Sequence, residues 1–383
     1  MKKLMQILKW SFASVLIVLL IILISPFLRR YVFLNIPDVY DYNRLPSRVI
    51  EQDSKKPHYF AESKRCSIKG ILPFDYEGQK VSSLDSLLRV NNTTAFIVIR
   101  NDTVMYEKYF NGHKRGTFCK SFSASKNVIS ALTGIALDEG LIADINDPVT
   151  KYLPGFTDNT SLAKVTIKHC LDATAGFPAN NGGAFPWHDN VKVYYSHNLP
   201  ALLSKLNCET EPGKSFRTEE YSSCLLALVL EEVTGKSVSD YLSEKIWKPM
   251  GMEYNALWVL DRKDSGHEVA MSGLTARAID FARFGSLYLH KGEWNGRQII
   301  SEDWVRKTTS PDNTLLSRWD GGYYNSTWWG KLSDDGSYEY SANGHYSQRI
   351  YIAPVKNAVV VRFGPAVGDI DWSMFISALI SHL

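Results

Sequence analysis

A serine and a lysine three residues apart begin the stretch of this chain best suited to nucleophilic chemistry. Ser123 and Lys126 open the apolar run 128–137, and this pattern predicts a buried helix. Residues three apart share a helix face, so the two side chains would be in reach of each other. A serine hydroxyl attacks a carbonyl when a neighbouring group takes its proton, which a lysine does if burial and positive potential keep it neutral. Free N–H groups at the helix start would supply half an oxyanion hole.

The spacing alone is a weak signal, because Ser161 and Lys164 have it too. That second pair lies in a polar stretch that runs into a strand-like segment, so we interpret Ser161 as a loop residue. For Ser123 the alternative is an ordinary helix N-cap, with Lys126 a solvated first-turn residue. The nearly all-round apolar helix behind them favours a buried element, where a surface lysine would be out of place.

The composition is that of a globular chain without a strong charge bias. The 383 residues are 45% hydrophobic and 22% charged, and the net charge of +3 is too small to indicate a nucleic-acid partner. The length allows one large domain or two intertwined ones. The patterns GxSxG, HExxH, GxGxxG and the P-loop are missing, which removes most rival enzyme classes. Five cysteines occur singly, predicting neither a zinc site nor a disulfide framework: Cys66, Cys119, Cys170, Cys208 and Cys224.

Residues 1–30 are predicted to form an N-terminal membrane anchor. The uncharged stretch 10–27 is roughly 18 residues long, enough to span a bilayer. Three lysines precede it and Arg29 and Arg30 follow, a slight bias that places the N-terminus in the cytoplasm. We therefore expect a single-pass protein of the cell inner membrane whose main domain is periplasmic. A cleaved signal peptide is the alternative, although no small-x-small cleavage site follows; an amphipathic surface helix lacks its polar face.

The remaining chain divides into a membrane-proximal arm and one large domain. Residues 31–80 are polar and proline-containing without periodicity, and we expect them to pack loosely on the domain at 81–383. Strand patterns occur at 95–99 and 104–110, and again at 337–340, 348–353 and 358–363, before a closing helix at 371–383. Helical patterns fill most of 141–273. The predicted fold class is α+β, an antiparallel sheet carrying an inserted helical subdomain.

Motifs along 92–383 together resemble those of the beta-lactamase-related serine hydrolases. They occur at 122–142, 147–154, 166–176, 280–285 and 292–296. The resemblance covers class C beta-lactamases and their penicillin-binding and esterase relatives, and especially 6-aminohexanoate-dimer-hydrolase-like proteins. It implies a Ser/Lys/Tyr acyl-transfer site between an α/β and a helical domain, with Ser123 as nucleophile and Lys126 as base. It implies no metal or organic cofactor.

The family's third motif is similar to residues 344–348, near the end of the chain. On an exposed strand edge, the backbone N–H of Gln348 would face that of Ser123 across the oxyanion. His345 would then contact substrate, its alternative being a surface loop residue. Ser347 stands where relatives often carry glycine, which would narrow the approach of substrate to the strand.

The second motif departs from the family pattern. Relatives place a tyrosine two residues after the phenylalanine of a Pro-Gly-x-x-Phe stretch, and that register, 212–216 here, gives Thr218. Tyr221 lies three residues further on. If the stretch is already helical, Tyr221 faces nearly the same way about 4.5 Å along the axis, so we predict that it acts with Lys126. The alternative is a packing tyrosine, which would leave Lys126 working alone or the site slow.

These observations predict a membrane-anchored serine hydrolase that acts on a small-molecule amide or ester. A carboxylesterase and a DD-peptidase are alternatives within the same enzyme class. The alternative is a binding protein on the same fold that has lost turnover and holds or senses cell-wall peptides. Trp187, with Phe185 and His188, would line a loop over the site and favour substrates with a hydrophobic portion, unless these residues are ordinary loop packing. The sequence identifies neither the deacylation base nor the oligomeric state.

Overall fold

The computed structural model describes the chain except for residues 1, 35, 54, 56, 63–67, 182, 265, 313–316 and 320. Cys66 therefore lies outside the described residues. The other four cysteines are free thiols, three of them buried.

The helices form where apolar residues recur at helical spacing, and several begin at a side-chain cap. Ser83 accepts a hydrogen bond from the Ser86 N–H at the start of one helix, and Asp371 does so from the Met374 N–H at the last. In chain order the helices are α1 (Lys2–Ile24), α2 (Pro26–Leu34), α3 (Leu84–Val90), α4 (Ser125–Asp138), α5 (Ile167–Leu171), α6 (Asp189–Tyr194), α7 (Leu199–Leu203), α8 (Tyr221–Thr234), α9 (Val238–Leu242), α10 (Ala278–Leu289), α11 (Glu302–Thr309) and α12 (Trp372–Ser381).

The strands are mostly short. In chain order they are β1 (Ser47–Ile50), β2 (Ala61–Glu62), β3 (Phe74–Tyr76), β4 (Gln79–Val81), β5 (Ala95–Arg100), β6 (Thr103–Tyr109), β7 (Phe118–Lys120), β8 (Ala256–Val259), β9 (Leu274–Arg277), β10 (Glu293–Trp294), β11 (Arg297–Gln298), β12 (Arg318–Trp319), β13 (Gly322–Asn325), β14 (Trp328–Leu332), β15 (Tyr338–Gly344), β16 (Gln348–Ala353) and β17 (Ala358–Phe363).

In the part of the chain that the structure describes, the main sheet has nine strands in the order β12-β13-β14-β15-β16-β17-β5-β6-β2. Its neighbours are antiparallel except that β2 runs parallel to β6. Both faces are covered: in β5, Ile97 and Ile99 belong to the core shared with α4 and α10, whereas Phe96 and Val98 point to α12 on the other face. The predicted α+β fold, an antiparallel sheet between helices with helical segments inserted between its first and last strands, is confirmed.

Residues 31–80 are more firmly built into the domain than their composition predicts. β1 pairs with β8 in the sheet β1-β8-β9-β7, from Ser47 opposite Val259 to Ile50 opposite Ala256. Ile50 is fully buried. Strands of two to four residues are too short to produce a periodic pattern. The expectation of loose packing therefore fails for a physical reason.

Helix α1 is long and apolar enough to cross a membrane. Within Lys3–Ile24, an 18-residue window has a mean hydropathy of 2.7, and none of that window is buried against the protein. Helix α2 follows directly and touches the domain, where Arg30 Nη1 donates to the Ser196 carbonyl at 2.6 Å. The domain is thus attached directly to the end of the apolar helix.

Candidate active site

Ser123 lies in a tight turn between strand β7 and the buried helix α4. After β7 the chain forms a 3₁₀ turn, Phe122–Ala124, and continues as α4. Phe122 has a left-handed φ of 48°, which is uncommon for a bulky residue. Ser121 holds the turn against β9, since its N–H and its hydroxyl both donate to the Leu274 carbonyl, at 3.0 and 2.8 Å. The turn leaves Ser123 half-buried between buried neighbours.

A cavity of about 310 Å³ opens in front of this turn. The structure brings Ser123 and Lys126 to the same cavity, as their helical spacing predicts. Within the described part of the chain, no group of three or more histidine, cysteine, aspartate or glutamate side chains is arranged for a metal ion. The residues lining the cavity are Ser123, Lys126, Thr218, Glu220, Tyr324, Thr327, Trp329, Asn343, Gly344 and His345.

The Lys126 side chain is an ion-paired ammonium. Its Nζ donates to the Glu219 carbonyl at 2.8 Å and lies 2.8 Å from Glu220 Oε2. Burial by itself would lower the pKa of Lys126, but the carboxylates of Glu220 and Glu219 outweigh it, and the pKa is raised above its ordinary value. The sequence predicts a lysine kept neutral by burial, and the structure departs from that prediction because Glu220 pairs with the amine and the charge of Glu219 adds to its effect.

The two adjacent glutamates do different things. Glu219 is buried and accepts the backbone N–H groups of Tyr221 and Ser222, the latter at 3.0 Å, so it satisfies the first turn of α8. Burial raises the pKa of its carboxyl group, against the effect of Lys126. Glu220 is the N-cap residue, yet its side chain makes no capping hydrogen bond. Its carboxylate instead faces Lys126 and the cavity.

Tyr221 is directed away from Ser123. Its hydroxyl donates to Asp189 Oδ1 at 2.7 Å, and it does not occur among the described residues that line the cavity. Helix α8 begins at Tyr221, so the preceding residues are not helical and the predicted one-turn relationship to Thr218 does not hold. Thr218 lines the cavity in its place. In this structure Tyr221 is a buried packing residue, the alternative that its position in the sequence left open.

The third motif places His345 at the cavity, but the backbone N–H of Gln348 is hydrogen-bonded within the motif. Burial lowers the pKa of His345, with Glu220 acting in the opposite direction, so its imidazole is neutral at neutral pH. The backbone N–H of Gln348 donates to the His345 carbonyl. The Gln348 side chain exchanges two hydrogen bonds with the Gly364 backbone, at 2.7 and 3.0 Å. The expected partner of the Ser123 N–H in an oxyanion hole is therefore already occupied.

A family model named Beta-lactamase matches residues 89–364. The chain belongs to the Beta-lactamase family. Its sequence is 24% identical over 318 residues to 6-aminohexanoate-dimer hydrolase of Paenarthrobacter ureafaciens, covering 76% of this chain and 77% of that protein. The structure of a putative 6-aminohexanoate-dimer hydrolase from Bacillus anthracis superimposes with a TM-score of 0.78 at 25% identity, over 89% of this chain and 92% of that one. A class C beta-lactamase mutant shares the fold at 14% identity, with a TM-score of 0.59 over 78% and 95% of the two chains. Two of these relatives are named as hydrolases, which supports a hydrolase here.

This member of the Beta-lactamase family carries strained backbone in its third motif. Tyr346 and Ser347 both have left-handed φ values, 58° and 60°. Arg362, buried beneath the turn, donates to the carbonyl oxygens of both, to Ser347 at 3.3 Å. Ser347 is not one of the described cavity-lining residues, so it shapes the turn and does not narrow the cavity as predicted.

The aromatic wall of the cavity comes from residues that sequence reasoning missed. Trp187 is exposed and stacks on Phe185 with ring centroids 4.6 Å apart, and neither belongs to the described cavity lining. Tyr324 and Trp329 line it instead, with their rings 5.1 Å apart. The aromatic residues of β13 and β14 are the sequence feature that could have indicated Tyr324 and Trp329. The feature that could have indicated Glu220 is its position two residues after Thr218 in the second motif.

Proposed function

We propose that this protein is a serine hydrolase that cleaves an amide or ester bond of a small molecule through an acyl-enzyme on Ser123. The observation that carries the proposal is that Ser123, in the turn before α4, and Lys126, in its first turn, line one cavity. Membership of the Beta-lactamase family and a hydrolase as relative support it.

The proposed reaction begins with attack of Ser123 Oγ on the substrate carbonyl carbon. The backbone N–H of Ser123 would stabilise the oxyanion, whereas the N–H groups of Ala124 and Ser125 already donate to the carbonyls of Ser121 and Phe122. The serine proton would leave through the pair formed by Lys126 and Glu220, whose charged atoms lie 2.8 Å apart. That proton would then protonate the leaving amine or alcohol, and water would release the acyl group.

Intact-mass analysis of the full-length protein in mild detergent tests this proposal. The protein is treated in parallel with a fluorophosphonate, a penicillin and an activated short-chain ester, with Ser123→Ala as the matched control. We expect one adduct per chain in the wild type and none in Ser123→Ala. A folded wild-type protein that gives no adduct with any of the three reagents would contradict the proposal.

The second candidate is a slow or inactive binding protein that holds cell-wall peptides. It is favoured by one observation: the tyrosine of the second motif is replaced by Thr218, while Tyr221 is bonded to Asp189. The lifetime of the ester adduct separates the two candidates, since a hydrolase loses it within the assay and a binder retains it.

We further propose that α1 remains attached as a membrane anchor, with the hydrolase domain on the extracytoplasmic side. The stretch Lys3–Ile24 has the length and hydropathy for this role, and cleavage as a signal sequence is the competing outcome. Membrane fractions washed with alkaline carbonate, followed by mass analysis of the retained protein, decide between them. Retention of the intact N-terminus supports the anchor, and a mature chain that begins beyond residue 24 contradicts it.

A further inference from the structure

We propose that the Glu220 carboxylate accepts the proton of Ser123, and later that of the hydrolytic water, while Lys126 remains an ammonium that holds it in place. This inference rests on the proposed function, and it replaces the tyrosine of the family resemblance by a carboxylate.

The first step is to ask which described side chains at the cavity can take a proton. Lys126 is already protonated, because the neighbouring carboxylates raise its pKa. The Thr218 hydroxyl is too weak a base, and Tyr221 is bonded to Asp189. Tyr324 also lines the cavity, but burial raises the pKa of its hydroxyl group. Among the described residues, the two remaining cavity groups that can accept a proton are the Glu220 carboxylate and the imidazole of His345.

The second step is the position of the Glu220 carboxylate. Ser123, Lys126 and Glu220 line the same cavity, so a carboxylate 2.8 Å from Lys126 Nζ is held in the cavity that the nucleophile faces. The Glu220 carboxylate makes no capping hydrogen bond to α8, because the Glu219 carboxylate accepts the N–H groups of the first turn. Its side chain is only 15% exposed, which keeps the pair partly shielded from water.

His345 is held differently. Its ring packs against those of Phe122 and Tyr346, with centroids 5.6 and 4.0 Å apart. It therefore forms one wall of the cavity beside the nucleophile turn. Among the described residues, Glu220 and Lys126 form the ion pair that joins the second motif to α4.

The proton balance is complete without a co-reactant other than water. In acylation the Ser123 Oγ–C bond forms, the serine proton moves to Glu220, and it then passes to the leaving nitrogen or oxygen as that bond breaks. In deacylation a water oxygen bonds to the acyl carbon and its proton moves to Glu220. The proton returns to Ser123 Oγ as the ester bond of the acyl-enzyme breaks.

The test is the labelling rate of Ser123 by a fluorophosphonate in full-length Glu220→Gln, at neutral pH. Glutamine has the same shape and still accepts a hydrogen bond from Lys126, so a merely positioning role would keep the wild-type rate. We expect labelling to fall about 100-fold or more. Removing the carboxylate lowers the pKa of Lys126, so the rate should recover in part at alkaline pH as Lys126 becomes neutral.

The matched control is Glu209→Gln, which removes an exposed carboxylate of the same segment, paired with Arg217 at 2.8 Å. It should label like the wild type. Glu220→Gln labelled at the wild-type rate overturns the inference, and if His345→Asn is then the slow variant, the acceptor is His345. A wild-type protein that is not labelled at Ser123 contradicts the proposed function itself, which keeps the two failures distinct.

Discussion

Lys126 Nζ lies 2.8 Å from Glu220 Oε2 and donates to the carbonyl of Glu219 at the same distance. The Lys126 ammonium therefore contacts two adjacent acidic residues just before the N-terminus of α8. Opposite charges within a few ångströms favour the ionised form of each partner. The cavity in front of Ser123 is thus an ionic site with an aromatic wall.

Replacing Lys126 by methionine should leave the Glu220 carboxylate without the ammonium that lies 2.8 Å from it. The carboxylate would then lack the group that holds it at the cavity. We expect labelling of Ser123 by a fluorophosphonate to fall by about 100-fold at neutral pH, and the remaining rate to increase as the pH is raised. Pseudo-first-order labelling between pH 6 and 9 measures both effects.

The matched variant is Lys245→Met, which removes a lysine paired with Glu139 away from the cavity. Its labelling rate should equal that of the wild type. A Lys126→Met protein with wild-type labelling would show that the ion pair has no part in the reaction.

Tyr221→Phe separates the family's expected tyrosine from the arrangement found here. The Tyr221 hydroxyl bonds to Asp189, so its loss should lower the free energy of unfolding by about 2 kcal/mol. The labelling rate of Ser123 should stay close to wild type. Urea denaturation measures the free energy of unfolding, and labelling of the same preparation measures the reactivity of Ser123. A stable variant with a large loss of labelling would show that Tyr221 takes part in the reaction.

The helix behind Ser123 could be predicted because its apolar residues repeat without interruption. Eleven residues of α4 are buried, from Ser125 to Ala136. Strands β16 and β17 were predicted for the same reason and span the predicted residues, Gln348–Ala353 and Ala358–Phe363. Continuous periodicity is a local property, and it is therefore visible in sequence.

The rest of the site depends on contacts between distant segments. Lys126 contacts Glu219 and Glu220, about ninety positions away in the chain. These contacts determine that the pKa of Lys126 is raised. The predicted role of Tyr221 requires a helix that starts before it, whereas α8 begins at Tyr221, directly after its N-cap residue Glu220. The pairing of β1 with β8 is likewise invisible in four residues of sequence.

Ser347→Gly should stabilise the protein. A left-handed φ costs a residue with a Cβ about 1–2 kcal/mol, and glycine avoids this cost while gaining freedom in the unfolded chain worth about 0.4–1 kcal/mol. Ser347 has a φ of 60°. The net expectation is a gain of about 0.5–1 kcal/mol, measured by urea denaturation.

Ser204→Gly is the matched control, since Ser204 has an ordinary φ of −61° at the end of α7. There the substitution should destabilise. A Ser347→Gly protein that loses stability would mean that the serine side chain contributes more than the backbone strain removes.

Lys120 should make stability depend on pH. It is buried beside Asp41 and Tyr194, and burial lowers its pKa to about 8 from 10.5, with Asp41 opposing the shift. Between these values the unfolded state binds more protons, so stability rises with pH from about 8 to 10.5 and is insensitive to this group below pH 8. The difference in free energy of unfolding between pH 7.5 and 9.5 should therefore be more positive in the wild type than in Lys120→Met. Equal differences in the two proteins would contradict the assignment.

Gly344→Ala should damage the nucleophile turn more than the fold. A Cβ on Gly344 would lie 2.1 Å from the Ser121 carbonyl oxygen, a backbone atom two residues before Ser123. Ser121 is held in turn by two hydrogen bonds to the Leu274 carbonyl, so it has little room to move away. We expect β15 and the turn to be pushed apart, with a loss of about 1–3 kcal/mol in stability and a fall of about 100-fold in Ser123 labelling, since displacement by an ångström is costly in an acyl-transfer site. Gly155→Ala, where an added Cβ meets nothing within 4 Å, should change neither quantity. If Gly344→Ala unfolds at the wild-type urea concentration and labels at the wild-type rate, the close approach of β15 to the nucleophile turn does not position Ser123.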